Sequence, residues 1–150
     1  MTNNAIDILL IEDNPADVQL AREALDESKF WCNLHVIKDG ESAMAFLRRE
    51  GAFADAPRPD IIILDLNLPK KDGREVLREI KEDDRFKCIP VVILTMSAAD
   101  EDTLNAYELG ANCFITKPIG FDQFIRVVQS IENFWFTIVK LPRKEEPCNV

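Results

Sequence analysis

Short apolar runs alternate with longer amphipathic segments along most of this chain, and this alternation restricts the fold more than any other feature. Five runs are rich in β-branched residues and apolar at nearly every position, which is the pattern of parallel strands buried on both faces. They are Ile6–Ile11, Leu34–Ile37, Ile61–Leu64, Val91–Leu94 and Cys113–Ile115.

A segment with helical periodicity follows each predicted strand. The spacing predicts one helix beginning near Asn14-Pro15 and others over about 41–50, 74–82, 100–109 and 121–136. Asn14 can accept hydrogen bonds from the first free N–H groups, and Pro15 suits the first turn. Five consecutive βα units indicate an α/β fold with an open, doubly wound parallel sheet, because a closed eight-stranded barrel needs a much longer chain.

Length, charge and cysteine content exclude several classes of protein. The chain has 150 residues, which favours one domain, and a net charge of −9, which argues against binding to nucleic acid or an anionic membrane. No apolar run is long enough to cross a bilayer, and the start does not have the pattern of a signal peptide. The four cysteines are far apart and no C-x-x-C spacing occurs, so we expect reduced thiols in a cytoplasmic protein rather than a zinc site.

Polar residues follow four of the predicted strands. They are Glu12-Asp13, Asp65, Thr95 and Lys117. Strand ends of a doubly wound sheet converge on one cleft, so the pattern predicts three carboxylates, a hydroxyl and an ammonium group together. Crowded carboxylates repel one another and need a cation, and hard oxygen ligands suit Mg²⁺, with Mn²⁺ as a possible substitute. We expect Asp13, Asp65 and the backbone carbonyl of Asn67 as ligands, with Glu12 holding a metal-bound water.

This set of groups suits phosphoryl transfer. The charge on a transferring phosphoryl group must be met by fixed positive charge and donors, which Mg²⁺, Lys117 and Thr95 would supply. A carboxylate can itself be the nucleophile and form an aspartyl phosphate. Asp65 is the candidate, because it ends the central strand and is followed by a loop that leads to Asp72-Gly73.

The same residues give the chain a family resemblance. Glu12-Asp13, Asp65 with Leu68-Pro69 and Asp72-Gly73, Thr95 followed by Ser97-Ala98, and Lys117-Pro118 resemble the receiver domain of two-component response regulators, in order and spacing. The resemblance extends over about residues 6–131 and implies a flavodoxin-like three-layer sandwich with strand order 2-1-3-4-5. The stretches 13–17, 68–77 and 124–141 are similar to the single-domain regulators of cyanobacterial phytochromes, which implies a phytochrome histidine kinase as partner.

The resemblance also implies a mechanism. Asp65 would attack the phosphoryl group of a phosphohistidine on the kinase, and Lys117 and Thr95 would then bind the phosphoryl oxygens. Thr95 would move inward and Phe114 would swing in behind it, changing the surface that partners contact. The family often has tyrosine at the switch position, so a switch that depends on a hydroxyl is not available to Phe114.

Two alternatives use the same residues. A small Mg-dependent phosphatase that forms an aspartyl phosphate would share aspartate, lysine and metal, but it usually carries a second aspartate where this chain has Asn67, and an amide cannot transfer protons. A pseudo-receiver that acts without phosphate would be expected to lack one of the key residues, and none is missing. We therefore expect a phosphoacceptor that catalyses only its own phosphorylation and dephosphorylation.

The carboxyl-terminal segment carries an aromatic cluster, Phe134, Trp135 and Phe136. Neighbouring aromatics cannot all face inward from one helix, and clustered exposed aromatics are typical of interfaces. We expect a homodimer or partner surface there. The domain is predicted over 1–141, followed by a polar, proline-containing tail over 142–150 that we expect to be mobile.

Overall fold

Strands and helices alternate as the sequence predicts through the residues that the structure describes. The computed structural model describes residues 6–27, 32–66, 68–95 and 113–116. In chain order the elements are β1 Ile6–Ile11, α1 Pro15–Glu27, β2 Cys32–Ile37, α2 Gly40–Arg48, a 3₁₀ turn Gly51–Phe53, β3 Ile61–Asp65, α3 Gly73–Glu82, β4 Val91–Thr95 and β5 Cys113–Thr116.

The five strands form one parallel sheet in the order β2-β1-β3-β4-β5. Its register brings the carboxyl ends of β1 and β3 together, because Ile11 pairs with Leu64. On the other side of β3, Asp65 pairs with Leu94 of β4. The predicted doubly wound parallel sheet and its strand order are confirmed.

Helices cover both faces of this sheet. Leu9 and Ile11 of β1 pack into a core cluster with residues of α2 and α3, such as Met44 and Leu77. The alternate β1 residues, including Leu10, pack into a second cluster with Ala21 and Leu25 of α1. Because successive strand side chains point to opposite faces, the continuous apolar runs fill two separate cores and give the three layers.

Side-chain caps begin the helices. The carboxamide oxygen of Asn14 accepts a hydrogen bond from the N–H of Ala16 at 2.9 Å, Asp39 accepts one from the N–H of Ser42 at 2.7 Å, and Asp72 accepts one from the N–H of Arg74 at 2.7 Å. The helix α2 ends two residues before the predicted Glu50, because Arg49 adopts a left-handed conformation with φ 58°.

The cysteine prediction is wrong in one place. Cys32 is a free thiol, as expected, but Cys88 is disulfide-bonded. Spacing along the chain does not show which thiols a fold brings together, so this bond could not be predicted from the cysteine pattern.

Some predictions fall outside the described residues. They are the helices over 100–109 and 121–136 and the tail over 142–150. Among the helices that are described, none is long and apolar enough to cross a bilayer.

Candidate functional site

Three carboxylates meet where β1 and β3 end. Glu12 and Asp13 directly follow β1, and Asp65 is the last residue of β3. One carboxylate oxygen from each of the three lies within 4.8 Å of the others. Glu12 and Asp65 are buried, at 0% and 3% exposure, whereas Asp13 is exposed. The predicted acidic pocket is therefore open to solvent on the side of Asp13.

This donor set fits a hard divalent cation. Three carboxylates at this separation repel one another, and the repulsion is stronger for the two buried groups because water screens them less. Oxygen ligands from carboxylates are those that Mg²⁺ and Mn²⁺ prefer. The exposed side at Asp13 leaves room for the waters that Mg²⁺ retains. Asn67, the predicted carbonyl ligand, lies outside the described residues.

The turn from β1 into α1 holds the first two acids. The N–H of Glu12 donates to the carbonyl of Ile37 at 2.9 Å, which extends the pairing of β1 with β2 by one residue. A carboxylate oxygen of Glu12 accepts from the N–H of Asn14 at 3.1 Å, and Asn14 in turn caps α1. Strand pairing and helix capping thus fix the backbone on both sides of Asp13.

For two of the other predicted site residues, Thr95 and Phe114, the structure gives the position in the sheet. The rest lie outside the described residues. Thr95 ends β4, one residue beyond the position opposite Asp65. Phe114 lies in β5 opposite Ile93, and Thr95 pairs with Thr116. The described residues stop at Thr116, so Lys117 lies just beyond them. The aromatic cluster, Phe134, Trp135 and Phe136, also lies outside them.

The loop after Asp65 returns tightly to the start of α3. The N–H of Gly73 donates to the carbonyl of Leu66 at 3.0 Å. A side-chain carbon at Gly73 would lie 2.3 Å from the carbonyl oxygen of Asp65 and 2.6 Å from the Cα of Leu66. Only glycine fits at this distance, so the Asp72-Gly73 pair of the sequence both caps α3 and lets the helix begin against the candidate phosphoacceptor.

A second set of contacts supports this loop, and the sequence did not reveal it. Glu79 of α3 accepts hydrogen bonds from Lys71 in the loop and, at 3.1 Å, from Arg48 at the end of α2. Partial burial acts to raise the pKa of Glu79, but the bonds from these two cations outweigh it and hold the pKa below its usual value.

At the other end of α2, Gly40 packs on the loop backbone. The only sequence feature that points to this contact is the Asp39-Gly40 dipeptide between a strand and a helix.

Comparison with protein families agrees with this geometry. The model of the response regulator receiver domain matches residues 8–129, which is most of the chain. This chain belongs to the response-regulator receiver family. The resemblance inferred from the strand-end residues is confirmed.

Two relatives indicate the branch of the family. This receiver is 49% identical to the response regulator Rcp1 of Synechocystis sp. over 135 residues, which is 90% of this chain and 92% of Rcp1. The crystal structure of the phosphorylated cyanobacterial phytochrome response regulator RcpA matches with a TM-score of 0.83 at 49% identity, covering 93% of this chain and 99% of that one. The narrower resemblance to phytochrome response regulators is confirmed.

A third comparison concerns the acidic pocket. The crystal structure of the Mn²⁺-bound form of Rcp1 matches this receiver with a TM-score of 0.81 at 48% identity. The match covers 92% of this chain and 99% of that one. Rcp1, whose fold this chain shares, was thus crystallised with a bound divalent cation.

Proposed function

We propose that this receiver accepts a phosphoryl group on Asp65 from a phytochrome histidine kinase, in a reaction that requires Mg²⁺. The observation that carries the proposal is the meeting of Glu12, Asp13 and Asp65 at the ends of two adjacent strands. The similarity to a phytochrome response regulator that was crystallised in its phosphorylated form supports both the chemistry and the class of kinase.

The nucleophile in this proposal is a carboxylate oxygen of Asp65. It attacks the phosphorus of a phosphohistidine on the kinase, so a P–O bond forms while the P–N bond breaks, and the imidazole is the leaving group. Asp65 ends a buried central strand, and Gly73 packs on its carbonyl, so its backbone is held from two sides. Such fixed placement lowers the entropic cost of reaching the attack geometry.

Asp13, Asp65 and the carbonyl of Asn67 would hold the cation, and Glu12 would hold a metal-bound water. When bound, Mg²⁺ neutralises the carboxylates and the negative charge of the phosphoryl oxygens. Lys117 supplies further positive charge to those oxygens and Thr95 supplies a hydroxyl donor. Because Asp13 and Asp65 bear like charges in one pocket, a donor phosphate would be repelled without a bound cation.

The output we propose is a change in protein contacts in the cytoplasm, rather than DNA binding or turnover of a substrate. Thr95 moves toward the phosphoryl group, and Phe114 moves with it. The phosphoryl group thereby favours one of two existing states. The aromatic cluster, Phe134, Trp135 and Phe136, forms the contact with a second copy of the chain.

The test is the intact mass of the protein after incubation with Mg²⁺ and a small acyl phosphate. We expect the parent chain to gain one phosphoryl group and Asp65→Asn to gain none. Asp55→Asn is the matched control, because it makes the same chemical change at an exposed acid outside the pocket, and it should behave like the parent. Phosphorylation of Asp65→Asn would contradict the proposed site.

The partner assignments need separate experiments. A phosphorylated phytochrome kinase should transfer its phosphoryl group to this receiver faster than an unrelated histidine kinase does, and equal rates would contradict the assignment. For the dimer, sedimentation of the parent and of Trp135→Ala should show that the variant is more weakly associated. A parent chain that sediments as a monomer with and without phosphorylation would exclude the homodimer.

A further inference from the structure

The loop between β3 and α3 contains a backbone conformation that needs outside support. Lys70 has φ 67°, a value that L-residues rarely adopt. The N–H of Lys71 donates to the carbonyl of Pro69 at 2.8 Å, so these three residues form a γ-turn with positive φ, which is a strained form. Such a conformation persists only where its surroundings fix it.

The first residue of α2 supplies part of that support. The N–H of Gly40 donates to the same Pro69 carbonyl at 3.4 Å. A side-chain carbon at Gly40 would lie 2.2 Å from the carbonyl oxygen of Lys71 and 2.7 Å from its Cβ. The helix and the loop are therefore in direct backbone contact, and even one methyl group at Gly40 would force them apart.

Charged groups at both ends of α2 connect this helix to the loop between β3 and α3. The Lys70 ammonium lies 4.0 Å from the carboxylate of Asp39, the residue that caps α2. At the far end, Glu79 pairs with both Arg48 of α2 and Lys71 of the loop. The first turn of α2 thus contacts the loop directly. The last residue of α2, Arg48, is connected to the loop through Glu79.

This loop connects the pocket to α3. It begins at Asp65 and closes where Gly73 packs on the Asp65 carbonyl. We infer that Gly40 is a positioning residue: its contact with the Pro69–Lys71 turn, together with the Glu79 pairs to Lys71 and Arg48, holds the β3–α3 loop in the conformation that binds the divalent cation. The inference rests on the proposed function, because it assumes that the acidic pocket is the cation site.

The test compares two glycine substitutions in the full-length chain. Gly40→Ala introduces the methyl clash with the loop, whereas Gly51→Ala introduces a methyl at a positive φ of 56° where nothing lies within 4 Å. Both variants should lose some thermal stability. Calorimetric titration with Mn²⁺ should show a dissociation constant raised on the order of tenfold in Gly40→Ala and unchanged in Gly51→Ala.

The outcomes separate the inference from the proposed function. If the parent does not bind Mn²⁺, the proposed cation site fails. If the parent binds it and Gly40→Ala binds equally well while folded, the positioning role fails and the proposed function stands. A loss of affinity in Gly51→Ala as large as that in Gly40→Ala would also overturn the inference, since general destabilisation would then explain both.

If Gly40→Ala does not fold, a second pair of variants tests whether contacts with the loop support cation binding. Glu79→Gln removes the negative charge that pairs with Lys71 and Arg48 without adding bulk. Asp83→Asn removes the same charge from an acid of the same region that pairs with Arg85 rather than with Lys71. We expect the Mn²⁺ dissociation constant to rise by about threefold in Glu79→Gln and to stay at the parent value in Asp83→Asn. Equal affinities in the two variants would contradict the inference.

Discussion

The strand β1 has an acid near each end, and the two acids have opposite surroundings. Asp7 is 7% exposed, and its Oδ1 lies 3.2 Å from the amide nitrogen of Asn33 and 3.1 Å from Nε2 of His35. At the other end, Asp13 lies beside two further carboxylates, Glu12 and Asp65. The carboxylate of Asp7 thus has hydrogen-bond donors beside it, whereas the carboxylate of Asp13 has two other carboxylates beside it.

This difference separates an acid that stabilises the fold from the acids that we propose bind a cation. A buried carboxylate with hydrogen-bond donors around it is satisfied by the protein itself. Carboxylates that face one another raise the free energy of the folded state until a cation binds. Proteins retain such unfavourable groups mainly at functional sites, where stability and activity conflict.

The largest effect should come from removing the acid at the amino end. Asp7→Ala leaves the Asn33 amide and the His35 ring without their acceptor, in a partly buried position. We expect the free energy of unfolding in urea to fall by about 3 kcal/mol. Asp55→Ala, at an exposed loop position, should change it little. If Asp7→Ala is as stable as the parent, the claim that Asp7 stabilises the fold is wrong.

At the carboxyl end, Asp13→Asn should weaken cation binding while stabilising the cation-free protein. We expect the Mg²⁺ dissociation constant to rise on the order of 10- to 100-fold. Without cation, the loss of repulsion in a water-exposed setting should raise the free energy of unfolding by about 1 kcal/mol. Calorimetry and urea unfolding measure the two effects. A variant that is less stable than the parent without cation would mean that Asp13 is a structural acid like Asp7.

The smallest effect concerns Glu79, whose pKa is held below its usual value. A carboxylate with a lowered folded-state pKa adds stability above its unfolded pKa, and this contribution disappears as the pH falls through the folded pKa. Glu79→Gln should therefore be less stable than the parent at pH 6, by less than about 1 kcal/mol, and equal to it well below the usual pKa of 4.5. Urea unfolding at the two pH values checks this, and a difference that grows in acid would contradict it.

The sequence predicted the pocket acids better than their supports. Glu12, Asp13 and Asp65 could be predicted because parallel strands bring their carboxyl ends together, so strand assignment alone places the residues that follow. The alternation of strands and helices predicted the parallel sheet, whereas its strand order followed from the family resemblance. Among the described residues the element ends differ slightly, as at Cys32, which begins β2 earlier than the apolar pattern suggests.

The supporting contacts depend on distances that a sequence does not contain. Nothing in the pattern of β1 distinguishes Asp7 from a solvent-facing acid, because its partners Asn33 and His35 lie on another strand. Similarly, the closeness of Gly40 to Lys71 depends on how α2 packs against the loop after β3. Such packing sets the rotamers and the loop path, and neither follows from periodicity.

The rate of phosphorylation is the decisive test of the difference between Asp7, the structural acid, and Asp13, the acid of the proposed cation site. We would follow the gain of phosphoryl groups from a small acyl phosphate at a Mg²⁺ concentration that does not saturate the parent, with a chelator as control. We predict no gain with the chelator, a rate lowered on the order of tenfold in Asp13→Asn, and a rate within about twofold of the parent in folded Asp7→Asn. Equal rates with Mg²⁺ and with the chelator, or equal losses in the two variants, would contradict this prediction.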